Sequence, residues 1–467
     1  MPQTADSKRS PVLFLVLTAV VLFLIGGAVA LWRLHPPAFL ARTSAPATPE
    51  TILSMHGSNT IGAQLAGALA EAFLKRQGAE SIKTVAGPRP DEFVVVASMS
   101  GDPRPKAIEI QAHGSATAFP DLASAKCDIG MASRHVKPEE AAKLTALGDM
   151  TSPACEHVVG LDGLAIIVNK ANPVKQLSTA QIGKIFTGEI ADWKEVGGEA
   201  GAIKVLARDD KSGTYDTFKA LVLGKNQLAA GAVRFEDSRE LSDRVAGDPQ
   251  AIGFIGLPYV RSAKPVAVWD KGTTALVPNR LTIATEDYLL SRRLFFYTAA
   301  SPANPLVRRF VEFALGTDGQ DIVAQNGFVE LNVKTETAAA AANAAPEYTR
   351  AIAGAERLSV NFRFRSGSAE LDNRALADLD RVAGFLSKPG RGHSDIVLCG
   401  FADSVGAAQA NQALSLSRAN VVADEFRRRG VTPAAVAGFG AANPVASNDT
   451  DDGRQKNRRV EAWVRTM

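Results

Sequence analysis

The chain has 467 residues, a length that sets an expectation of two or three domains. With 46% hydrophobic and 22% charged residues it has the make-up of a folded protein, which excludes wholesale disorder. A net charge of +3, from 52 Lys and Arg against 49 Asp and Glu, excludes an overall basic nucleic-acid binder.

Residues 1–11 carry Lys8 and Arg9, and residues 12–32 (VLFLVLTAVVLFLIGGAVALW) then run without a charge. At about 1.5 Å rise per residue this segment reaches roughly 31 Å, the depth of a bilayer core. It reads as a transmembrane anchor, with residues 1–11 in the cytoplasm and the chain after Arg33 outside it. A cleaved signal peptide is the rival reading, but its apolar region usually covers only about 7–15 residues. The expected location is therefore the inner membrane, single-pass, with the bulk of the chain in the periplasm. Residues 33–50 are rich in Pro, Ala, Ser and Thr and read as a tether.

From Thr51 to Val333 apolar strand-like runs (EFVVVASM, AIEIQAHG, HVVGLDGLAIIVN, AIKVLARD, AIGFIGL) alternate with amphipathic helical ones, so an α/β architecture is expected. Residues 334–355 read as a second linker, whose Ala-rich part 334–351, extended at about 3.3 Å per residue, could span roughly 60 Å. Residues 356–467 repeat a smaller pattern of strand, helix, strand, helix, strand.

The most informative feature of the long domain is a repeated junction. ILSMHGSNTIG, IEIQAHGSATAF and IKVLARDDKSGTYDTF each end a strand in small polar residues with a glycine and open a helix. A first helical turn offers unpaired N–H groups and partial positive charge. Ser and Thr add hydroxyls, and Gly lets an oxyanion approach the backbone. Three such ends at one point would wrap a tetrahedral oxyanion. One junction alone is more often ordinary N-capping. Arg134 and Arg208 lie close to two of them, and an arginine fork suits phosphate.

GSNTIG, GSATAF, DIGMASR, LSTAQIGKIFTGEIADWKEVGG, RDDKSGT and AIGFIGLPYV together resemble the PstS-like substrate-binding proteins of phosphate ABC transporters. The resemblance covers residues 51–333. It implies a two-lobed periplasmic binding protein type II fold, with crossover strands and a ligand cleft. It also implies phosphate or a similar oxyanion as ligand, and an ABC permease or a signalling partner as recipient. Carried over, the phosphate-binding residues are Ser58, Asn59, Thr60, Ser115, Arg208, Ser212, Gly213 and Thr214, with Arg134 adding charge and Asp210 orienting Arg208. Ala116 stands where the family often has glycine. Arg134 stands where some members have an acidic residue that accepts the proton of hydrogen phosphate, which leaves discrimination against sulfate open.

In the last domain FRFRSGSAEL, GFADSVG, NQALSLSRANVV, GFGAANPVASNDT and DGRQKNRRVE resemble the OmpA-like peptidoglycan-binding domain, an α+β fold. In that family an aspartate and an arginine hold the zwitterionic end of diaminopimelate in the peptide stem. The positions here are Asp403 and Arg418, with Asn411 in support. Asn411, Ser415 and Arg418 share one helical face, and Leu414, Val421 and Phe426 form another that reads as core. Arg458 and Arg459 read as structural.

Three cysteines are too few for a disulfide scaffold. Outside the cytoplasm Cys127 and Cys155 are the candidate pair, with Cys399 left over. No CxxC, HExxH or HxxxH spacing suggests a metal, no cofactor is expected, and no GxSxG elbow or P-loop suggests an enzyme. The competing reading is a structural envelope tether whose receptor-like domain binds no small anion.

Overall fold

The computed structural model describes residues 48–210, 212–338, 344–365, 368–388 and 396–465. The expected membrane span at residues 12–32 lies outside them. Among the described residues no helix is long and apolar enough to cross a membrane.

In chain order the strands are β1 (Glu50–Gly57), β2 (Ala79–Ala86), β3 (Glu92–Met99), β4 (Asp102–Gln111), β5 (Ile129–Ala132) and β6 (Glu156–Val168). Then follow β7 (Gln176–Ser178), β8 (Lys204–Arg208), β9 (Val233–Phe235), β10 (Ala251–Gly256), β11 (Lys264–Pro265), β12 (Ala267–Trp269) and β13 (Ser291–Tyr297). The last five are β14 (Thr335–Glu336), β15 (Ala355–Arg363), β16 (Ile396–Gly400), β17 (Ala435–Gly438) and β18 (Arg459–Arg465).

Eleven of these form one sheet, ordered β2-β3-β4-β1-β5-β13-β6-β10-β8-β9 with β11 on β6. β6 and β13 lie at its middle, antiparallel to each other, with Arg292 opposite Asp162 and Arg293 opposite Leu161. β6 serves three cores: Val158, Leu164, Ile166 and Val168 join the large cluster around Phe186 and Phe254. Val159 joins the cluster around Phe73 and Phe310, and Ala165 and Ile167 join one with Leu206 and Ile255. Its near-continuous apolar run is what a strand covered on both faces requires. The two strands thus connect an N-terminal lobe, β1–β5, to a second lobe, β8–β10. In the second lobe Phe218 stacks on Phe254 with ring centroids 4.0 Å apart.

The C-terminal sheet is ordered β14-β15-β18-β16-β17. The helices Asn373–Leu386 and Ala408–Arg428 contribute Leu379, Val382, Val422 and Phe426 to the core on one face. On the other face Tyr348, from the helix Pro346–Ala351, joins Phe401 and Trp463. The described part of 334–355 is therefore not a free spacer: β14 extends the sheet, and the Tyr348 hydroxyl donates to Glu461 at 2.7 Å.

From Pro49 onward the chain is one compact unit, and a buried ionic seam shows why. Glu286, between the lobes' core and β13, takes Arg293 at 2.6 and 2.8 Å, Arg363 at 3.1 Å and Arg374 at 3.1 Å. Asn361 donates to the Thr285 carbonyl and to Asp287, both at 2.7 Å. Arg293 also reaches Asp372 at 2.8 Å, and Lys456 donates to the Leu289 carbonyl at 2.7 Å. Residues 284–289 are thus seated among side chains of the C-terminal domain.

The expected Cys127–Cys155 disulfide is not formed: both are buried free thiols, as is Cys399. The strand order explains this. Tyr297 on β13 pairs with Gly130 on one side and Glu156 on the other, so β13 separates the two segments. Two strand spacings come to roughly 9–10 Å, against a Cα separation of at most about 6.8 Å for a disulfide.

Candidate functional site

Two of the three junctions meet across the cleft between the lobes. Gly57 has φ +136°, and a Cβ there would lie 2.0 Å from the Met131 carbonyl oxygen, so only glycine lets β1 turn into Ser58. The Ser58 amide donates to that carbonyl at 2.8 Å. Its hydroxyl is buried and has no partner among the described residues. Asn59 and Thr60 open the helical turn Asn59–Gly62. The second junction lies alongside, as the Gly114 amide donates to the Gly57 carbonyl at 2.7 Å. Ser115 is 3.2 Å from the Ser133 hydroxyl and accepts from the Ser133 amide at 3.0 Å.

The third junction comes from the other lobe. Ser212 caps the helix Gly213–Phe218, accepting from the Thr214 and Tyr215 amides at 3.2 and 3.4 Å. A Cβ on Gly213 would lie 2.2 Å from the Thr60 hydroxyl, so the two walls touch and the cleft is closed.

Arg292 stands where they touch, a residue that sequence reasoning missed. It lies on β13 and is buried. Its Nη1 donates to the Gly213 carbonyl at 2.8 Å and its Nη2 to the Thr60 hydroxyl at 2.9 Å. Asp162 of β6 holds it through Nε at 3.0 Å and Nη2 at 2.7 Å.

The two arginines expected at the ligand are engaged elsewhere. Arg134 forms a fork with Glu140 at 2.8 and 2.6 Å and lies over the Phe119 ring. Arg208 donates to the carbonyls of Phe235 at 3.2 Å and Glu236 at 2.8 Å, and to the Ser238 hydroxyl. Asp210 does not orient it; that carboxylate pairs with Arg234 at 2.8 Å. β9 runs beside β8 with Phe235 next to Arg208, which supplies those carbonyls.

The C-terminal domain carries a second constellation. Asn411, Ser415 and Arg418 share a face as expected, but it is the buried one, whereas Leu414 is exposed. Gly400 and Gly438 explain the reversal. A Cβ on either would collide with the helix backbone at Ser415 and Leu416, so β16 and β17 run directly against that face. Arg418 is buried, its Nε and Nη1 have no partner among the described residues, and it lies 5.5 Å over the Phe364 ring. Burial, then the neighbouring Arg458, lowers its pKa. Asp403 accepts from the Val405 amide at 2.9 Å and from Arg458 at 2.9 Å. Burial opposes its charge, but those two donors outweigh it and hold the carboxyl below its ordinary value. Arg458 is thus more than a sheet residue: it is the present counter-ion of Asp403. Arg459, buried on Glu461 at 2.7 Å, is structural as expected.

Two lobes joined by paired central strands, with polar helix openings facing across the joint, are the architecture of the periplasmic binding protein type II class. The model of the PBP superfamily domain matches residues 77–318 and that of the OmpA family matches residues 363–458. The chain belongs to the PBP superfamily and ends in an OmpA family domain. It is similar to the phosphate-binding protein PstS of Borreliella burgdorferi, 27% identical over 235 residues, 49% of this chain and 80% of that protein. It is also similar to PstS of Bacillus subtilis, 31% identical over 224 residues, 48% of this chain and 70% of that protein. Among solved structures, an ABC-type phosphate transport receptor from Vibrio cholerae aligns over 59% of this chain and 99% of its own, with 24% identity and a TM-score of 0.47.

Proposed function

We propose that this protein is a membrane-anchored periplasmic receptor that binds orthophosphate or a closely similar oxyanion between its lobes and is attached to peptidoglycan by its C-terminal domain. The observation that carries the reading is the meeting of Ser58, Thr60 and Gly213 at the interlobe contact, with the Ser58 hydroxyl buried and unpartnered. A buried polar group left unsatisfied costs about 1–3 kcal/mol; an anion accepting from it removes that cost. The relatives' names, phosphate-binding protein, support the choice of anion. Residues 12–32 would hold the chain in the inner membrane as a single span. Asp403 would take the ammonium, and Arg418 the carboxylate, of a diaminopimelate end in the peptide stem. The role is binding, not catalysis, and serves uptake through an ABC permease or sensing through a signalling partner.

Titration calorimetry of phosphate, with sulfate in parallel, into the detergent-solubilised full chain tests this. Saturable phosphate heat that Ser58→Ala weakens supports the receptor. One observation favours the structural tether instead: Arg134 and Arg208 are both occupied by protein acceptors. Silence with both anions from a folded chain would decide for the tether.

A further inference from the structure

Arg292 has a role that the three junctions do not account for. It sits on β13 directly opposite Asp162 on β6, so the ion pair spans the two strands that connect the lobes. From there its guanidinium reaches both walls of the cleft. Thr60 belongs to the first lobe and Gly213 to the second, and each accepts from a different terminal nitrogen. Asp162 is itself buried, so the pair is fixed and shielded from water.

We propose that Arg292 is the positioning residue that closes the cleft: a latch whose guanidinium holds Thr60 and Gly213 in register and so sets oxyanion affinity without touching the anion. This rests on the receptor reading above. The chemistry is specific. Because Thr60 Oγ1 accepts from Arg292, its own O–H is left to donate into the cleft, and the cationic donor polarises it. Because the Gly213 carbonyl is held, the Thr214 amide in the same planar peptide keeps its orientation. An opening movement separates Thr60 from Gly213, so it must break at least one of these charged hydrogen bonds. A charged hydrogen bond within a buried network makes closure a two-state event, not a graded one.

The test uses the full chain in detergent, with inorganic phosphate and sulfate as probes. Arg292→Met removes the latch but strands Asp162, so the double variant Asp162→Asn/Arg292→Met is made beside it, with Arg292→Lys as the conservative rescue. Calorimetry gives affinity, and hydrogen exchange gives closure. In the unaltered chain phosphate should raise protection of residues 58–62 and 213–218 together. In the Met variants phosphate affinity should fall about 10- to 100-fold, and the joint protection should disappear while the core strands stay protected. Lysine should recover part of both. A purely structural role would not uncouple the two segments. If the unaltered chain binds phosphate or sulfate and the folded double variant binds within twofold of it, the latch is wrong and the receptor stands. If the unaltered chain binds neither anion, the receptor reading fails and takes the latch with it.

Discussion

Arg292 and Arg293 are consecutive on β13 and serve opposite sides of it. Arg292 bonds to Thr60 and Gly213 at the cleft, and Arg293 bonds to Glu286 and to Asp372 of the C-terminal domain. Period-two alternation along a strand is what sends neighbouring side chains apart. The consequence is that the cleft and the interdomain seam share one rigid element. The C-terminal domain is seated behind the strands that connect the lobes, not on the surface of one lobe.

The seam should dominate the stability of the join. Glu286 is buried and surrounded by Arg293, Arg363 and Arg374. Glu286→Gln removes the charge and leaves three guanidinium groups facing one another. Breaking a buried pair on one side costs about 3–5 kcal/mol, so a loss of that size is expected in denaturant unfolding of the full chain. A change below about 1 kcal/mol, the scale of an exposed pair, would show that the seam is solvated. The pH dependence follows from the same group. Burial works to raise its pKa, but Arg293 and Arg374 overcome this and hold it well below the ordinary value. The depressed value means that its contribution is full above the unfolded carboxyl pKa of roughly 4.3 and is lost as pH falls through the lower folded value. Acidification from pH 7 to 5 should therefore leave the join intact.

The junctions were legible in the sequence because their signal is local. Small polar residues with a glycine between an apolar run and a helical pattern mark a helix opening, and the helices Asn59–Gly62 and Gly213–Phe218 open at two of them. Arg292 was not legible. It lies inside the run SRRLFFY, and its partners Asp162, Thr60 and Gly213 are distant in the chain. Asp210 failed for a related reason: spacing put it near Arg208, but the register of β9 brought Arg234 to it instead. The polar stripe Asn411, Ser415 and Arg418 was readable as one face. That this face is buried depended on Gly400 and Gly438 in strands whose approach no periodicity reveals.

The free thiols give a direct chemical check. Cys127 and Cys155 are both buried, and burial pushes the Cys127 thiol up to about 12. The native chain should be inert to iodoacetamide at neutral pH, since the thiolate is the nucleophile. Denatured without reductant, it should take up three alkyl groups by intact mass, one for each of the free cysteines. Uptake of only one would mean that a disulfide exists.

Wall attachment should depend on Arg418 more than on Arg458. Arg418 is buried with two unpartnered guanidinium nitrogens, whereas Arg458 already holds Asp403. Arg418→Ala should lower cosedimentation with isolated sacculi by about tenfold or more. Asp403→Asn should do likewise, by losing the charge that an ammonium group would meet. Arg458→Ala removes a competitor for Asp403 and should leave binding intact or improve it. If Arg458→Ala abolished binding while Arg418→Ala did not, the roles given to the two arginines would be reversed.

Gly213→Ala separates closure from folding. A Cβ there would lie 2.2 Å from the Thr60 hydroxyl and 3.1 Å from the Thr60 amide nitrogen, contacts made across the cleft. Within its own helix alanine is favoured over glycine by up to about 1 kcal/mol. The contact belongs to the closed cleft, so a chain that rests open without an anion should be as stable as the parent or slightly more so. Closure onto an anion, however, would drive the methyl group into Thr60, and overpacking of this kind costs about 1–3 kcal/mol. Phosphate affinity should fall about 5- to 150-fold by calorimetry, with thermal unfolding of the anion-free chain unchanged. Ser212→Ala provides the contrast, because removing the cap should cost about 0.5–2 kcal/mol of stability whether or not an anion is bound. If Gly213→Ala bound phosphate as the parent does, the contact between Gly213 and Thr60 would not belong to the anion-bound state, and the closed cleft would have to form by another arrangement of the lobes.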